Sequence, residues 1–189
     1  MTVQIISRVF TDDTFAGIES LVGQARLSQP PFDSALRRWH HHNWRPLVPV
    51  HRAMIEQASE LFGVRLKPSY CFLSMYDIGG CLPLHVDRPP CFRTIDLMVR
   101  QDDDEPWPIM ISERVDDDES ADGQRPDFDL TDTDEIIERH KWTDVVLKPN
   151  EAVCYSGTHQ WHYRPSEATA RTDLIFFHFV PEDYDGPLD

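Results

Sequence analysis

No stretch of this sequence approaches the roughly 20 consecutive apolar residues that a membrane-spanning helix needs, although 40% of its 189 residues are hydrophobic. The first ten residues also lack the basic start and the long apolar run of a secretory signal. We therefore expect a cytoplasmic protein that does not interact with a membrane.

Cysteine is scarce, and its spacing argues against common structural metal sites. The four cysteines form no Cys-x-x-Cys pair, so a zinc ribbon is a poor interpretation. In a reducing compartment they are most simply buried or free thiols. Cys81 and Cys91 stand near the metal-ligand pattern described below, and packing is favoured over a role in the site for both.

Positive charge is also scarce. The formal net charge is −15, and residues 101–140 carry 16 acidic residues against three arginines, which accounts for −13 of it. A nucleic-acid partner would need a field of the opposite sign, so none is expected. The acidic stretch predicts a solvated loop insertion over about residues 113–142, either a disordered loop or a lid.

Two helical segments precede a series of short β-prone segments. Periodicity and capping residues predict helices over Asp12–Leu27 and from Pro49 to Gly63, whereas residues 34–46 are expected to be irregular. The predicted strands are Ser69–Tyr76, Leu82–Val86, Phe92–Val99, Trp107–Ile111, Val145–Leu147, Ala152–Ser156, Gln160–Arg164 and Arg171–Val180. A single domain over residues 1–189 is expected, with a helical part at about 1–66 and a β core at about 67–181. Its class is mainly β with flanking α, a jelly-roll or β-barrel backed by the N-terminal helices.

A histidine and an aspartate two residues apart, His85 and Asp87, form the most informative pattern of the chain. Residues two apart in a strand point to the same side, so both side chains can bind one metal ion. Two imidazoles and one carboxylate, with the other positions open, are the ligands of catalytic non-haem Fe(II) sites. His162 is the candidate for the second imidazole.

Two histidines compete for that second position, because His159 and His162 are three residues apart and lie on opposite faces of a strand. If residues 165–169 form the turn of a hairpin, His162 lies opposite Arg171, and opposed residues share a face. We therefore favour His162 and keep His159 as the alternative. The run of three histidines at 40–42 is expected to serve a surface or a substrate mouth, since consecutive side chains diverge.

An arginine that points into a barrel is costly unless it meets an anion. Arg171 opens the most apolar strand and is expected to bind a carboxylate, the natural partner of a guanidinium. Arg164, on the same face as His162, is the alternative anion ligand. Tyr76 is expected to bring its hydroxyl near the metal. Further arginines, expected to serve a substrate, are Arg88 and Arg93.

With these residues the chain resembles the Fe(II)- and 2-oxoglutarate-dependent dioxygenases, most closely their prolyl-hydroxylase-like branch. The resemblance covers about residues 69–180, and the order and spacing of its segments are more specific than any segment alone. The matching segments are Tyr76-Asp-Ile-Gly, Leu84-His85-Val86-Asp87-Arg88-Pro89, Gly157-Thr-His-Gln-Trp-His162-Tyr-Arg164, and Arg171 leading Leu174-Ile-Phe-Phe-His-Phe.

This resemblance implies a double-stranded β-helix core and Fe(II) bound by His85, Asp87 and His162. It implies 2-oxoglutarate as cosubstrate, with its distal carboxylate on Arg171 and a hydrogen bond from Tyr76, O₂ as co-reactant, and ascorbate as an optional stimulant. The implied reaction is hydroxylation of an unactivated C–H bond with release of succinate and CO₂. A small-molecule substrate is favoured, and neither the substrate nor the oligomeric state can be read from the sequence.

Three alternatives stay open. A cupin-like metalloenzyme would bind metal without using 2-oxoglutarate. A protein or peptidyl hydroxylase would share the site but act on a polypeptide. A non-enzymatic barrel would bind a ligand or partner, and mutation of His85 and His162 would leave that binding function intact.

Overall fold

The computed structural model describes residues 2–113 and 133–188, which form ten β-strands and four α-helices. Most of the predicted acidic insertion, and with it the choice between a disordered loop and a lid, lies outside the described residues. The part of the insertion that is described contains a short helix, Thr133–Arg139, and ends where the strand Trp142–Val145 begins. Within the described ranges, no helix is long and apolar enough to span a membrane.

The helices begin and end largely where capping and periodicity predict. The Thr11 side chain accepts a hydrogen bond from the Thr14 amide and so caps α1. The second predicted helix is divided at the buried Met54, and it ends at Gly63, which has the left-handed conformation (φ 64°) that favours glycine. The bounds are α1 Asp12–Leu27, α2 Val48–Ala53, α3 Ile55–Phe62 and α4 Thr133–Arg139.

Seven strands form one antiparallel sheet in the order β1-β8-β5-β10-β4-β3-β2. Their bounds are β1 Gln4–Ile6, β2 Phe32–Asp33, β3 Arg38–His42, β4 Leu66–Tyr76, β5 Arg93–Gln101, β8 Ala152–Tyr155 and β10 Thr172–Pro181. The prediction that residues 34–46 are irregular is wrong for β3, because pairing with β4 orders a segment that has no alternating apolar pattern of its own.

A second, smaller antiparallel sheet has the order β7-β6-β9. Its strands are β6 Ile109–Ser112, β7 Trp142–Val145 and β9 His162–Tyr163, so the strand predicted at 145–147 lies a few residues earlier. The predicted strand at 82–86 is reduced to a single bridge, in which the backbones of His85 and His162 exchange two hydrogen bonds of 3.1 and 2.9 Å.

Alternation along the strands of the large sheet separates two cores. One face packs against the helices through residues such as Leu73, Ile95 and Phe177. The other face packs against the small sheet, with Tyr76, Leu174 and Ile111 in one buried cluster. The predicted class is confirmed: the fold is mainly β, two facing antiparallel sheets backed by N-terminal helices, consistent with a jelly-roll core.

Candidate metal centre

The side chains of His85, Asp87 and His162 converge at one point between the two sheets. Asp87 Oδ1 lies 3.6 Å from His85 Nε2 and 3.7 Å from His162 Nε2. Bonds from imidazole nitrogen or carboxylate oxygen to Zn²⁺ are about 2.0–2.2 Å long. With bonds of that length, two ligand atoms at right angles on one ion are about 3 Å apart. A small inward shift therefore lets the three atoms bind one divalent ion of the first transition row.

Both imidazoles are held in the orientation that metal binding needs. His85 Nδ1 donates to the Pro83 carbonyl (2.8 Å), and His162 Nδ1 donates to the Gln160 carbonyl (3.0 Å). With the proton on Nδ1, each Nε2 keeps its lone pair and faces Asp87. Burial lowers the pKa of both imidazoles to about 4, so both are neutral at pH 7, the form that binds a metal.

The position of the carboxylate depends on Gly157, whose role the sequence analysis missed. The Asp87 amide donates to the Gly157 carbonyl (2.8 Å). A Cβ atom on Gly157 would overlap both Asp87 Oδ2 and the Cys91 carbonyl oxygen. Only a residue without a side chain lets the Asp87 carboxylate occupy this place.

His159 and the run of histidines at 40–42 lie apart from this cluster. His159 Nδ1 is hydrogen-bonded to the Thr158 and Ser156 hydroxyl groups at 2.6 and 3.2 Å. In the run at 40–42, His40 stacks on Phe72 and His41 stacks on Trp44. Of the two candidates for the second imidazole, His162 is therefore the one that lies with His85 and Asp87.

Arg171 does not reach the metal cluster, contrary to the expected hairpin. His162 belongs to β9 of the small sheet, whereas β10, which follows Arg171, pairs with β4 and β5 of the large sheet. The two residues are therefore not cross-strand neighbours. The Arg171 side chain is 56% exposed and its Nε lies 3.3 Å from Asp77 Oδ1.

An arginine that the sequence analysis did not consider, Arg38, lies in the pocket instead. It is opposite Tyr76 in the β3–β4 pair, and its Nη1 is 3.2 Å from the Tyr76 hydroxyl and 3.3 Å from the Ser74 hydroxyl. Its Nε is buried and makes no hydrogen bond, and it lies 3.8 Å from Asp33 Oδ2. Tyr76 is fully buried in the second core, and its place near the metal stays a prediction. One feature of the sequence could have pointed to Arg38. It lies two residues before His40, and in a strand this spacing places both side chains on the same face.

Arg164 points inward but lies deeper than the metal cluster. Its guanidinium stacks on the Trp107 ring, 4.1 Å from the centroid, and its Nη2 is 3.9 Å from Asp96 Oδ2. Both Asp96 oxygens and Arg164 Nε are buried without a hydrogen-bond partner. Burial raises the pKa of Asp96 to about 7, against the opposing effect of Arg164. Arg164 and Asp96 thus form a buried polar pair among the apolar side chains of the second core.

The metal cluster opens into a cavity of about 170 Å³. His85 and Asp87 keep 26% and 17% of their side chains accessible, so an ion can reach them. Arg38 and Arg88 are the cations in the cavity wall, and Asp87 is the carboxylate. The apolar part of the wall consists of Leu36, Phe72, Leu82, Pro83, Val86 and Phe176.

The sequence matches no protein-family model and no curated protein. Among solved structures, the chain is similar to SnoK, a non-haem α-ketoglutarate-dependent carbocyclase from nogalamycin biosynthesis, with TM-score 0.74 and 10% identity over 96% of this chain and 80% of that one. It is similar to HygX from Streptomyces hygroscopicus with nickel and 2-oxoglutarate bound (TM-score 0.63, 10% identity, 96% and 83% coverage). It is also similar to a Pseudomonas putida prolyl-4-hydroxylase (TM-score 0.60, 12% identity, 93% and 91% coverage). The resemblance drawn from the motifs is confirmed at the level of the fold, which this chain shares with 2-oxoglutarate-dependent non-haem oxygenases.

Proposed function

We propose that this protein is an Fe(II)- and 2-oxoglutarate-dependent oxygenase that hydroxylates an unactivated C–H bond of a small molecule. The observation that carries the proposal is the convergence of two neutral imidazoles and one carboxylate on a common point in the wall of a cavity. This ligand set leaves positions open for a cosubstrate and for oxygen. The shared fold with proteins that are described as 2-oxoglutarate-dependent supports the same conclusion.

In this function His85, Asp87 and His162 hold Fe(II). The bound metal supplies the oxidation, using O₂ and the electrons released when 2-oxoglutarate becomes succinate and CO₂. The chain's own contribution is to orient the ligands through the Pro83 and Gln160 carbonyls and to surround the reacting groups with apolar side chains that exclude water.

Arg38 is the residue that we propose for the distal carboxylate of 2-oxoglutarate, in place of Arg171. Its guanidinium lines the cavity and stands beside the hydroxyl groups of Tyr76 and Ser74. A guanidinium with two adjacent hydroxyl groups suits a carboxylate, because all three groups can donate hydrogen bonds to it. A carboxylate lies at a similar distance from each arginine, Asp96 from Arg164 (3.9 Å) and Asp33 from Arg38 (3.8 Å). The cavity favours Arg38, because Arg38 lines it whereas Arg164 is buried and is not part of its wall.

The small size of the cavity and its apolar wall support a small-molecule substrate. Hydroxylation of a peptidyl residue is the alternative, because a prolyl-4-hydroxylase is among the structurally similar proteins. The two differ in substrate, not in the metal site. A cytoplasmic location stays a prediction of the sequence.

The test is anaerobic addition of Fe(II) and then 2-oxoglutarate to the purified protein. Chelation of the metal by the cosubstrate should produce a weak visible charge-transfer band at about 500 nm. Asp87→Ala and His162→Ala should lose this band, and they should also lose the succinate formation that follows when O₂ is admitted. His159→Ala is the matched control, a nearby histidine outside the cluster, and should retain both.

Two outcomes would count against the proposal. Metal binding without the visible band, whatever the 2-oxoglutarate concentration, would favour a cupin-like metalloenzyme. Succinate formation that survives in Asp87→Ala would mean that the proposed ligands do not hold the active metal.

A further inference from the structure

A second group of metal-ligand side chains lies next to the first. Ligand atoms of Asp87, Cys91 and His178 all lie within 4.8 Å of one another. Cys91 and His178 are 2% and 5% exposed, and all three residues line the same cavity. Neither Cys91 nor His178 takes part in the function proposed above.

The fold brings these three side chains together from separate elements. Cys91 ends a single 3₁₀ turn, Pro89–Cys91, that begins two residues after Asp87. His178 lies on β10 beside Thr94 of β5, near an irregularity in the pairing of β10 with β4. The turn and β10 thus each bring one ligand side chain to Asp87.

Hydrogen bonds already orient the two new donors. The Tyr70 hydroxyl lies 2.9 Å from Cys91 Sγ, and it can donate to the sulfur once a metal has displaced the thiol proton. His178 Nδ1 lies 3.0 Å from the Thr94 hydroxyl, which fixes the plane of the ring. Such contacts are typical of the groups that orient metal ligands from behind.

We propose that Asp87, Cys91 and His178 form a second metal site for a thiophilic divalent cation such as Zn²⁺, sharing the Asp87 carboxylate with the site of His85 and His162. A thiolate, an imidazole and a carboxylate are all ligands that Zn²⁺ accepts, with a water molecule in the fourth position. The thiolate and the carboxylate together balance the charge of the ion. The softness of the sulfur disfavours the hard ions Mg²⁺ and Ca²⁺ here.

The shared carboxylate couples the two sites, because an ion on Cys91 and His178 draws Asp87 toward itself. This inference does not depend on the oxygenase proposal, since it concerns binding of a metal alone. It does require the protein to bind a metal through sulfur, a property that has a spectroscopic signature of its own.

The probe is Co²⁺, added anaerobically to the reduced, metal-free protein. A thiolate ligand gives Co²⁺ an intense near-ultraviolet charge-transfer absorption that nitrogen and oxygen ligands do not produce. We expect this absorption in the wild type and in the His85→Ala/His162→Ala double variant, which lacks the two imidazoles of the first site. We expect its loss in Cys91→Ser and its retention in Cys71→Ser, where an equally buried thiol on the helix-facing side of the sheet is removed.

Absence of the band in the wild type, or its persistence in Cys91→Ser, would overturn the proposal. So would its presence in the wild type and loss in the double variant, because Cys91 would then belong to a single site with His85 and His162. X-ray absorption at the cobalt edge of the unmutated protein covers the case in which Cys91→Ser fails to fold. One sulfur neighbour at about 2.3 Å is expected, and a shell of nitrogen and oxygen alone would refute the site. A failed oxygenase assay leaves each of these readings unaffected.

Discussion

Among single residues, Gly157 leaves no room for a side chain, although nothing in its chemistry marks it as functional. It accepts the hydrogen bond of the Asp87 amide, and the space for a Cβ atom is taken by the Asp87 carboxylate and the Cys91 backbone. Such a glycine is required by the close approach of a neighbour and not by a positive φ. Sequence inspection places it before His159 and His162 but offers no reason for it.

Gly157→Ala should therefore push the Asp87 carboxylate out of place and weaken metal binding by about 10–100-fold. Isothermal titration of the metal-free protein with Fe(II) or Co²⁺ under anaerobic conditions measures the effect. Gly23→Ala is the matched control, because Gly23 is exposed on α1 and a Cβ there meets nothing within 4 Å. Equal metal affinity in both variants would show that Gly157 does not position Asp87.

Arg38 and Arg171 can be compared directly, since both are arginines at the beginning of a strand and only Arg38 lines the cavity. Loss of a charge-assisted hydrogen bond of this kind costs about 1.5–3 kcal/mol, so Arg38→Met should weaken 2-oxoglutarate binding by about tenfold to a hundredfold. Arg171→Met should leave it within about twofold. Titration of the visible band of the Fe(II) protein with 2-oxoglutarate measures both. The reverse order would restore the assignment that the sequence analysis made.

Among the elements, β9 and β10 explain why that assignment was made and why the structure differs. The sequence between His162 and Arg171 contains turn residues, which made a hairpin plausible. In the structure β9 pairs with β6, and the chain then crosses to the large sheet to form β10. Local turn chemistry cannot distinguish a hairpin from a crossing between facing sheets, because that choice depends on which distant strand is available as partner.

The contact of α1 with the large sheet includes one buried ion pair. Arg26 near the end of α1 pairs with Asp173 of β10 through two hydrogen bonds, and the Asp173 side chain is only 2% exposed. Burial raises the pKa of Asp173, and Arg26 opposes this effect. Arg26 therefore joins the helix to the sheet by compensating a carboxylate that water does not reach.

Arg26→Met should lower the free energy of unfolding by about 3 kcal/mol, because it leaves a buried charge without its partner. The double variant Arg26→Met/Asp173→Asn should recover part of this loss. Arg8→Met removes one partner of an exposed pair with Asp12 and should cost less than about 0.5 kcal/mol. Urea denaturation followed by circular dichroism measures all three, and equal losses in Arg26→Met and Arg8→Met would contradict the argument.

In the molecule as a whole, buried neutral histidines limit stability in acid. Burial lowers the pKa of His51 to about 4 and that of His178 well below its usual value. It also lowers the pKa of His85 and His162 to about 4. In the unfolded chain these groups titrate near pH 6.5. Between about pH 4 and 6.5 the unfolded state therefore binds more protons than the folded state. The contribution of these histidines to the free energy of unfolding is complete above pH 6.5 and declines as the pH falls toward 4.

His51 offers a test away from the metal cluster, since its Nε2 donates to the His178 carbonyl (3.0 Å) behind the sheet. His51→Gln can keep a donor at this carbonyl but cannot take up a proton. Between pH 7.5 and pH 4 the metal-free variant should lose about 3 kcal/mol less unfolding free energy than the wild type. Urea denaturation at a series of pH values with a chelator present measures the difference. Parallel stability profiles would exclude His51 as a source of acid sensitivity.

The sequence alone determined the features that depend on local chemistry and periodicity. Capping residues and apolar spacing predicted α1 and the end of α3, short β-prone segments predicted β4, β5, β8 and β10, and the pattern around His85 predicted a candidate set of metal ligands. The structure brings that set together without a strand at 82–86: a backbone bridge joins His85 to His162, and the hydrogen bond from the Asp87 amide to the Gly157 carbonyl holds Asp87 beside them.

Only the tertiary structure decided which residues share the pocket with these ligands. Arg38, Cys91 and His178 line the cavity, and Gly157 leaves the space that the Asp87 carboxylate occupies. These four residues come from separate stretches of chain, and pairing or packing with distant elements brings them together. The Arg171 side chain points away from the cavity. The strand that it precedes, β10, joins the large sheet with its opposite face toward the cavity. Contacts between distant stretches depend on the register and partner of each strand, which are set by the whole core and leave little trace in local sequence.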